Sequence, residues 1–71
     1  MAAIQVKIYE NTQYKVESSH NGAFYTLIRL KDNKSCFFQG DSALIFEGEM
    51  IHAGTEEQFN NVFSQYDEVM G

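Results

Sequence analysis

The sequence predicts an α+β fold: a four-stranded antiparallel meander sheet, then a short helix or a fifth strand, then a C-terminal amphipathic helix packed on one sheet face. Three observations predict it: apolar and polar residues alternate through the first half, two turn signals separate the strands, and a capped stretch near the end has helical periodicity. A chain of 71 residues has room for one domain, which we place at 1–71.

The first two predicted strands form a hairpin. Residues 3–10 and 14–18 both alternate between apolar and polar side chains, which is typical of strands with one buried face. The three-residue loop between them predicts two cross-strand pairs, Ile8 with Val16 and Lys7 with Glu17. Because both faces are satisfied in this register, we expect the two strands to pair in it.

Two further turns extend the hairpin into a meander. Residues 21–22 are Asn-Gly, the strongest short signal for a type I′ hairpin turn, because both positions must adopt positive φ. Residues 32–33 are Asp-Asn, a second turn signal. The apolar stretches at 23–30 and 34–39 therefore become the third and fourth strands.

Two-residue loops at both turns sort the side chains of the sheet onto two faces. The face expected under the C-terminal helix carries Ile4, Val6, Ile8, Tyr14, Val16, Tyr25, Leu27, Cys36 and Phe38. The opposite face carries four large apolar side chains, Phe24, Ile28, Leu30 and Phe37. An apolar patch of this size is usually covered. The cover is the helix at 41–52, a second copy in a homodimer, or a different protein.

Residues 41–52 fit two interpretations. As a helix they use Asp41 as the N-cap and place three apolar side chains on one side, Ala43, Phe46 and Met50. As a strand they offer a buried apolar run at 44–46, but the alternation fails at 47–49. We favour the short helix and keep a fifth strand as the alternative.

The last element is a capped amphipathic helix. Thr55 and Gln58 have the spacing of a capping box, in which Thr55 accepts from the backbone of Gln58 while the Gln58 side chain reaches back. Apolar side chains then follow at helical spacing: Phe59, Val62, Phe63, Tyr66, and Val69 or Met70. This stripe predicts a helix that lies on the sheet.

Charge divides the chain into two unlike halves. Residues 1–34 hold all five Lys and Arg and have a net charge of +2, whereas residues 35–71 hold seven acidic residues and have −7. Asp67 and Glu68 fall in the last predicted helical turn, where the helix dipole disfavours anions, and no basic residue is near them in sequence. We therefore predict an acidic partner-binding surface, made of Glu47, Glu49, Glu56, Glu57, Asp67 and Glu68.

The sequence carries no signature of an enzyme, a cofactor site or a metal site. His20, Cys36 and His52 lack metal-ligand spacing, and no nucleophile elbow or glycine-rich phosphate loop occurs. We therefore assign no catalytic residue, no cofactor and no metal. One cysteine, no secretory leader and no apolar run near ~18 residues lead us to expect a cytoplasmic protein without a membrane span.

In size, acidity and sheet-plus-helix build, the chain is similar to the small phage-encoded inhibitors of bacterial defence, the anti-CRISPR proteins among them. That resemblance implies a non-enzymatic inhibitor or adaptor that binds a basic protein surface, such as a nucleic-acid-binding effector complex, with acidic residues imitating phosphates. If the chain is phage-encoded, its cytoplasm is that of the host.

Two alternatives remain open. One is a homodimeric structural or assembly protein that uses Phe24, Ile28, Leu30 and Phe37. The other is a single-stranded nucleic-acid-binding module. In it, basic side chains hold phosphates and aromatic side chains of the sheet stack on nucleobases. The basic residues are Lys7, Lys15, Arg29, Lys31 and Lys34, and the aromatic residues are Tyr9, Phe24, Tyr25 and Phe37. Because the first half has a net charge of only +2, direct nucleic-acid binding is the weakest of these interpretations.

Overall fold

The computed structural model describes residues 6–19 and 22–71, and it confirms the α+β fold. Four strands form one antiparallel sheet in the order β1-β2-β3-β4, and the helices follow. The elements are β1 (Val6–Glu10), β2 (Tyr14–Ser19), β3 (Phe24–Arg29), β4 (Lys34–Gln39), α1 (Asp41–Ile51), α2 (Glu56–Ser64) and a short 3₁₀ helix (Asp67–Val69). Ile4 of the predicted first strand, His20, and Asn21 of the predicted Asn-Gly turn lie outside the described residues.

The β1–β2 hairpin keeps one predicted pair and changes the other. Lys7 lies opposite Glu17 as expected, but an irregularity between Lys7 and Tyr9 places Tyr9, and not Ile8, opposite Val16. A bulge inserts one extra residue into a strand and so moves the next side chain to the other face. Tyr9 therefore turns toward the helices, and its ring stacks on Phe59 at a centroid distance of 4.0 Å.

The next two registers show one confirmed prediction and one error. β2 and β3 pair as a two-residue turn requires, with Val16 opposite Leu27. Between β3 and β4, the predicted two-residue loop would place Leu27 opposite Phe38, but Leu27 lies opposite Cys36. Four residues, 30–33, form this connection, and Asn33 has a φ of 59°. Because the shift is two residues, every side chain of β4 keeps its predicted face.

Residues 41–51 form a helix, as favoured from the sequence. The predicted N-cap is wrong: Gly40 occupies that position with a φ of 59°, and Asp41 is the first residue of the helix. The predicted buried side is correct, since Ala43, Phe46 and Met50 all lie in the core.

Both helices pack on the same face of the sheet. The ring of Phe46 on α1 stacks on Phe38 of β4 at 4.2 Å and lies 5.9 Å from Phe63 on α2. The interpretation in which α1 covers the opposite face is therefore wrong. Phe46, Phe63, Leu27 and Val16 are the largest fully buried side chains, so the core is one layer between the sheet and the two helices.

The start of α2 follows the predicted capping box with one difference. The Thr55 hydroxyl accepts from the backbone N–H of Gln58 at 3.1 Å. The backbone N–H of Gly54 donates to the Gln58 side-chain oxygen at 2.6 Å, so the donor lies one residue before the predicted one, Thr55. Both bonds satisfy donors near the helix start, so the cap still fixes where α2 begins.

The C-terminal end of α2 differs from the prediction. α2 stops at Ser64, and Asp67 and Glu68 belong to the separate 3₁₀ helix, so they do not occupy the last turn of a long helix. The chain then returns to the sheet. The backbone of Gly71 exchanges two hydrogen bonds with Ser35 on β4, at 3.1 and 3.3 Å.

Candidate functional site

α1 is apolar on both sides, and only one side is buried. Leu44, Ile45 and Ile51 are 68%, 63% and 70% exposed, while Phe46, which follows Ile45 directly, is completely buried. The solvent side of an amphipathic surface helix is normally polar, so three large aliphatic side chains on that side are unusual. We call the exposed side chains of Leu44, Ile45 and Ile51 the α1 stripe.

Two glutamates border the α1 stripe, and both bind tyrosine hydroxyls. The Tyr25 hydroxyl of β3 donates to Glu47 at 2.5 Å on one flank of α1. On the other flank, the Tyr66 hydroxyl donates to Glu49, which also accepts from Gln65 Nε2 at 3.3 Å. These bonds hold α1 at a fixed rotation about its axis, so the stripe points away from the core.

The tyrosine hydroxyls that hold α1 are hard to ionise. Burial, and secondarily the hydrogen bond to the Glu47 carboxylate, raises the pKa of Tyr25 from 10.0 to about 12. Burial and the bond to Glu49 likewise raise the pKa of Tyr66. In both cases the neutral tyrosine is the form that the fold requires.

This shift predicts a loss of stability at alkaline pH. Because the folded pKa of Tyr25 is the higher one, its contribution is fully present below the unfolded pKa of about 10 and is lost as the pH rises through about 12. Urea denaturation across this pH range should show the free energy of unfolding falling. Tyr25→Phe should fall less steeply than wild type. Equal slopes for the two proteins would contradict the contribution of Tyr25.

A shallow groove extends the α1 stripe toward the edge of the sheet. It has a volume of about 260 Å³ and is lined by Ile8, Tyr9, Tyr25, Glu47, Met50, Ile51 and Phe59. Ile8 is 48% exposed because the bulge in β1 displaces it from its predicted pairing. Apolar side chains thus run from the C-terminal end of α1 to β1, with one carboxylate beside them.

The structure places the six predicted acidic residues in different parts of the fold. Glu47 and Glu49 flank the α1 stripe, as described above. Glu56 accepts from the Thr12 hydroxyl at 3.1 Å, in the loop between β1 and β2. Glu57 and Glu68 are exposed, and neither makes a hydrogen bond or ion pair with the described part of the chain.

Asp67 is an internal partner of the sheet. One of its oxygens lies 3.2 Å from Arg29 Nη1, and the Tyr14 hydroxyl donates to the same oxygen at 3.1 Å. Arg29 also binds Asp32 through Nε and Nη2, at 3.1 and 2.8 Å. Although no basic residue is near Asp67 in sequence, Arg29 of β3 pairs with it in the fold. Asp67 therefore does not contribute an unpaired charge to the surface.

Most of the basic residues are also paired. Lys7 Nζ lies 2.8 Å from Glu10, Lys15 Nζ lies 4.0 Å from Glu17, and Arg29 binds two aspartates. Lys31 and Lys34 are the bases without an ion pair among residues 6–19 and 22–71. Of the four predicted stacking aromatics, Tyr9 and Tyr25 face the helices. Few basic side chains are therefore free to neutralise the phosphates of a nucleic acid.

Three of the four apolar residues predicted for the opposite sheet face lie together. The rings of Phe24 and Phe37 are 5.5 Å apart, with Phe37 55% exposed. Ile28 is half-buried on the same face of β3, whereas Leu30 follows the end of β3 and lines a pocket with Tyr14 and Asp67. The structure thus brings three of the four predicted residues onto one surface.

The groups that could support reactive chemistry are few in the described residues. Burial raises the pKa of the Cys36 thiol to about 11, which suppresses its nucleophilic thiolate form. Residues 6–19 and 22–71 contain no cluster of three His, Cys, Asp or Glu side chains able to hold a metal ion. Neither helix in this part of the chain is long and apolar enough to cross a membrane.

Sequence reasoning did not identify the α1 stripe. A signal was present, because the run Leu44, Ile45, Phe46 is too apolar for a helix with only one buried side.

Comparison of the chain with protein-family models, with curated proteins and with solved structures finds no match in any of the three.

Proposed function

We propose that this protein is a small non-enzymatic inhibitor or adaptor that docks on a basic surface of a larger, nucleic-acid-handling protein. The α1 stripe supports this proposal most directly. Three large aliphatic side chains are exposed on one helix, and Glu47 and Glu49 border them.

The α1 stripe has the composition of a docking surface. Burying one exposed Leu or Ile side chain contributes about 1.5–3 kcal/mol, so three on one helix supply a useful share of a binding free energy. Exposed apolar patches rimmed by polar residues mark interaction sites on soluble proteins. Since α1 is held by Tyr25 and Tyr66, little ordering is needed on binding.

The charge around the stripe favours a basic partner. Residues 35–71, which include both helices, contain seven acidic residues and no Lys or Arg. Such a surface speeds association with a positive surface and repels a negative one. A second copy docked through the same helix would bring carboxylates against carboxylates, so this surface does not favour self-association.

More specifically, we propose that the partner is a protein that handles nucleic acid. Proteins that bind DNA or RNA carry clustered Lys and Arg that neutralise phosphates, and carboxylates can occupy the same clusters. The exposed Glu57 at the start of α2 and the flanking Glu47 and Glu49 supply such carboxylates. Direct binding of nucleic acid by this chain is not proposed, because most of its basic side chains are paired with carboxylates.

The docking surface can be tested with a pair of variants that carry the same charge change. Ile51→Glu and Val69→Glu each replace an exposed aliphatic residue, 70% and 67% exposed, but only Ile51 lies on α1. The probe is a fluorescent amphipathic helical peptide of Leu and Lys. We expect Ile51→Glu to weaken binding about tenfold or more, as loss of one large apolar contact does, and Val69→Glu to leave it unchanged or tighter.

Two results would contradict this surface: no binding of the peptide by the wild-type protein, or the same affinity for both variants. The nucleic-acid part has its own readout. Wild-type protein, added to lysate proteins held on DNA-cellulose, should release at least one of them, and Ile51→Glu should not. Release of the same proteins by both forms, or of none by either, would reject nucleic-acid competition through α1.

A further inference from the structure

The sheet face opposite the helices has two unlike halves. The β1–β2 half carries four charged residues, Lys7, Glu10, Lys15 and Glu17. The β3–β4 half carries the apolar residues already described, with Phe24 and Phe37 as an aromatic pair and Ile28 beside them. Both helices pack on the other face, so we call this the outer face.

The four charges of the outer face form two rows of opposite order. The strand register places Lys7 beside Glu17 in one row and Glu10 beside Lys15 in the next. Reading from β1 to β2, the first row is positive then negative, and the second is negative then positive. Each row is therefore the charge inverse of the other, and the net charge of the four residues is zero.

We propose that a second copy of this chain docks on the outer face, related by a twofold axis that lies in the interface and runs perpendicular to the strands. This rotation keeps β1 over β1 and reverses the strand direction, so one charged row faces the other row of the second copy. Lys7 then faces Glu10 of the second copy, and Lys15 faces Glu17 of the second copy. Four opposite-charge contacts result.

The same rotation also places the uncharged halves on each other. β3 and β4 of one copy lie over β3 and β4 of the other, so Phe37 faces Ser35 of the second copy and Ile28 faces Thr26 of the second copy, and neither apolar side chain is covered by a charge. An axis parallel to the strands would instead place charged side chains on Phe24 and Phe37, where they would lose water without gaining partners. The small twist of each sheet gives stacked sheets an angle of about 30°, which this aligned arrangement accommodates.

This dimer goes beyond the proposed function and rests on different residues. It leaves α1 of each copy on the far side of its sheet, so the dimer presents two α1 stripes. Two linked copies engage a repeated or symmetric partner more tightly than one copy does. Since one face of a four-stranded sheet is smaller than the ~800 Å² per partner of standard interfaces, we expect a micromolar dimer.

A charge exchange tests the proposed pairing. Lys15→Glu and Glu17→Lys each place like charges against each other at two symmetric contacts, and each should weaken the dimer about tenfold or more. An equimolar mixture of the two variants restores both contacts with opposite charges, so it should form a heterodimer near wild-type affinity. Sedimentation equilibrium from micromolar to millimolar concentration measures all three samples and wild type.

Controls separate the interface from folding and from general charge. Lys34→Glu makes the same charge change at an exposed position whose strand register places it on the face toward the helices, so it should dimerise like wild type. Thermal unfolding shows that each variant is folded. A role of Lys15 and Glu17 only within one copy, where they lie 4.0 Å apart, would not make the mixture associate.

The outcomes decide the proposal without touching the α1 stripe. A wild-type protein that stays monomeric at millimolar concentration, single variants that dimerise like wild type, or a mixture no tighter than its components would each overturn it. All of these proteins retain the α1 stripe and should still bind the Leu and Lys peptide. Loss of peptide binding together with an intact dimer would instead reject the proposed function alone.

Discussion

Phe46→Ala is expected to remove most of the stability of this protein. Phe46 is completely buried, stacks on Phe38 at 4.2 Å and contacts the rings of Tyr25, Phe63 and Tyr66. Removing a buried phenylalanine side chain costs about 3–5 kcal/mol, because the cavity that remains cannot be filled completely. A domain of this size has roughly 4–10 kcal/mol in total, so a large fraction of the variant should be unfolded.

The measurement is urea denaturation followed by circular dichroism, since the chain has no tryptophan to report unfolding. Leu44→Ala is the matched control in the same helix: its side chain is 68% exposed, and we expect a change within about 0.5 kcal/mol. Equal losses for the two variants would mean that α1 does not pack on the sheet through Phe46.

The elements of the fold could be predicted because local patterns determine them. Alternation identified the strands, the capping box located the start of α2, and the spacing of Ala43, Phe46 and Met50 identified the buried side of α1. Each of these signals depends on residues close together in sequence. They hold in the structure because burial of one face enforces them.

The pairing details could not be predicted because they depend on single inserted residues. The bulge in β1 makes Tyr9 available to stack on Phe59, and nothing between residues 3 and 18 indicates that distant partner. The connection at 30–33 has four residues where the turn signal suggested two. The two-residue shift between β3 and β4 leaves each side chain of β4 on its predicted face, whereas the one-residue bulge in β1 moves Tyr9 to the other face.

The candidate site was only partly predictable for a related reason. Net charge showed that the second half is acidic, but tertiary contacts decide which carboxylates remain unpaired. Glu57 stays free within the described residues, whereas Asp67 pairs with Arg29, which is distant in sequence. The α1 stripe depends on which side of the helix is buried, because Phe46 takes the buried side and leaves Leu44, Ile45 and Ile51 exposed.

Asp67→Ala is expected to destabilise the fold by about 1.5–3 kcal/mol, the usual cost of removing a charged acceptor from a buried hydroxyl. Tyr14 is 4% exposed, and its hydroxyl donates to Asp67 at 3.1 Å, so the substitution leaves a buried donor without its acceptor. Arg29 loses one of its two carboxylates at the same time. Urea denaturation measures the difference from wild type.

Two variants separate this structural role from a role of the charge in partner binding. Asp67→Asn keeps an oxygen that can accept from Tyr14 and should recover part of the lost stability. Glu68→Ala removes a neighbouring carboxylate that has no bonding partner within the described chain, so stability should change by no more than about 0.5 kcal/mol. If Asp67→Ala and Glu68→Ala were equally stable, Asp67 would be a surface charge and not an internal partner of the sheet.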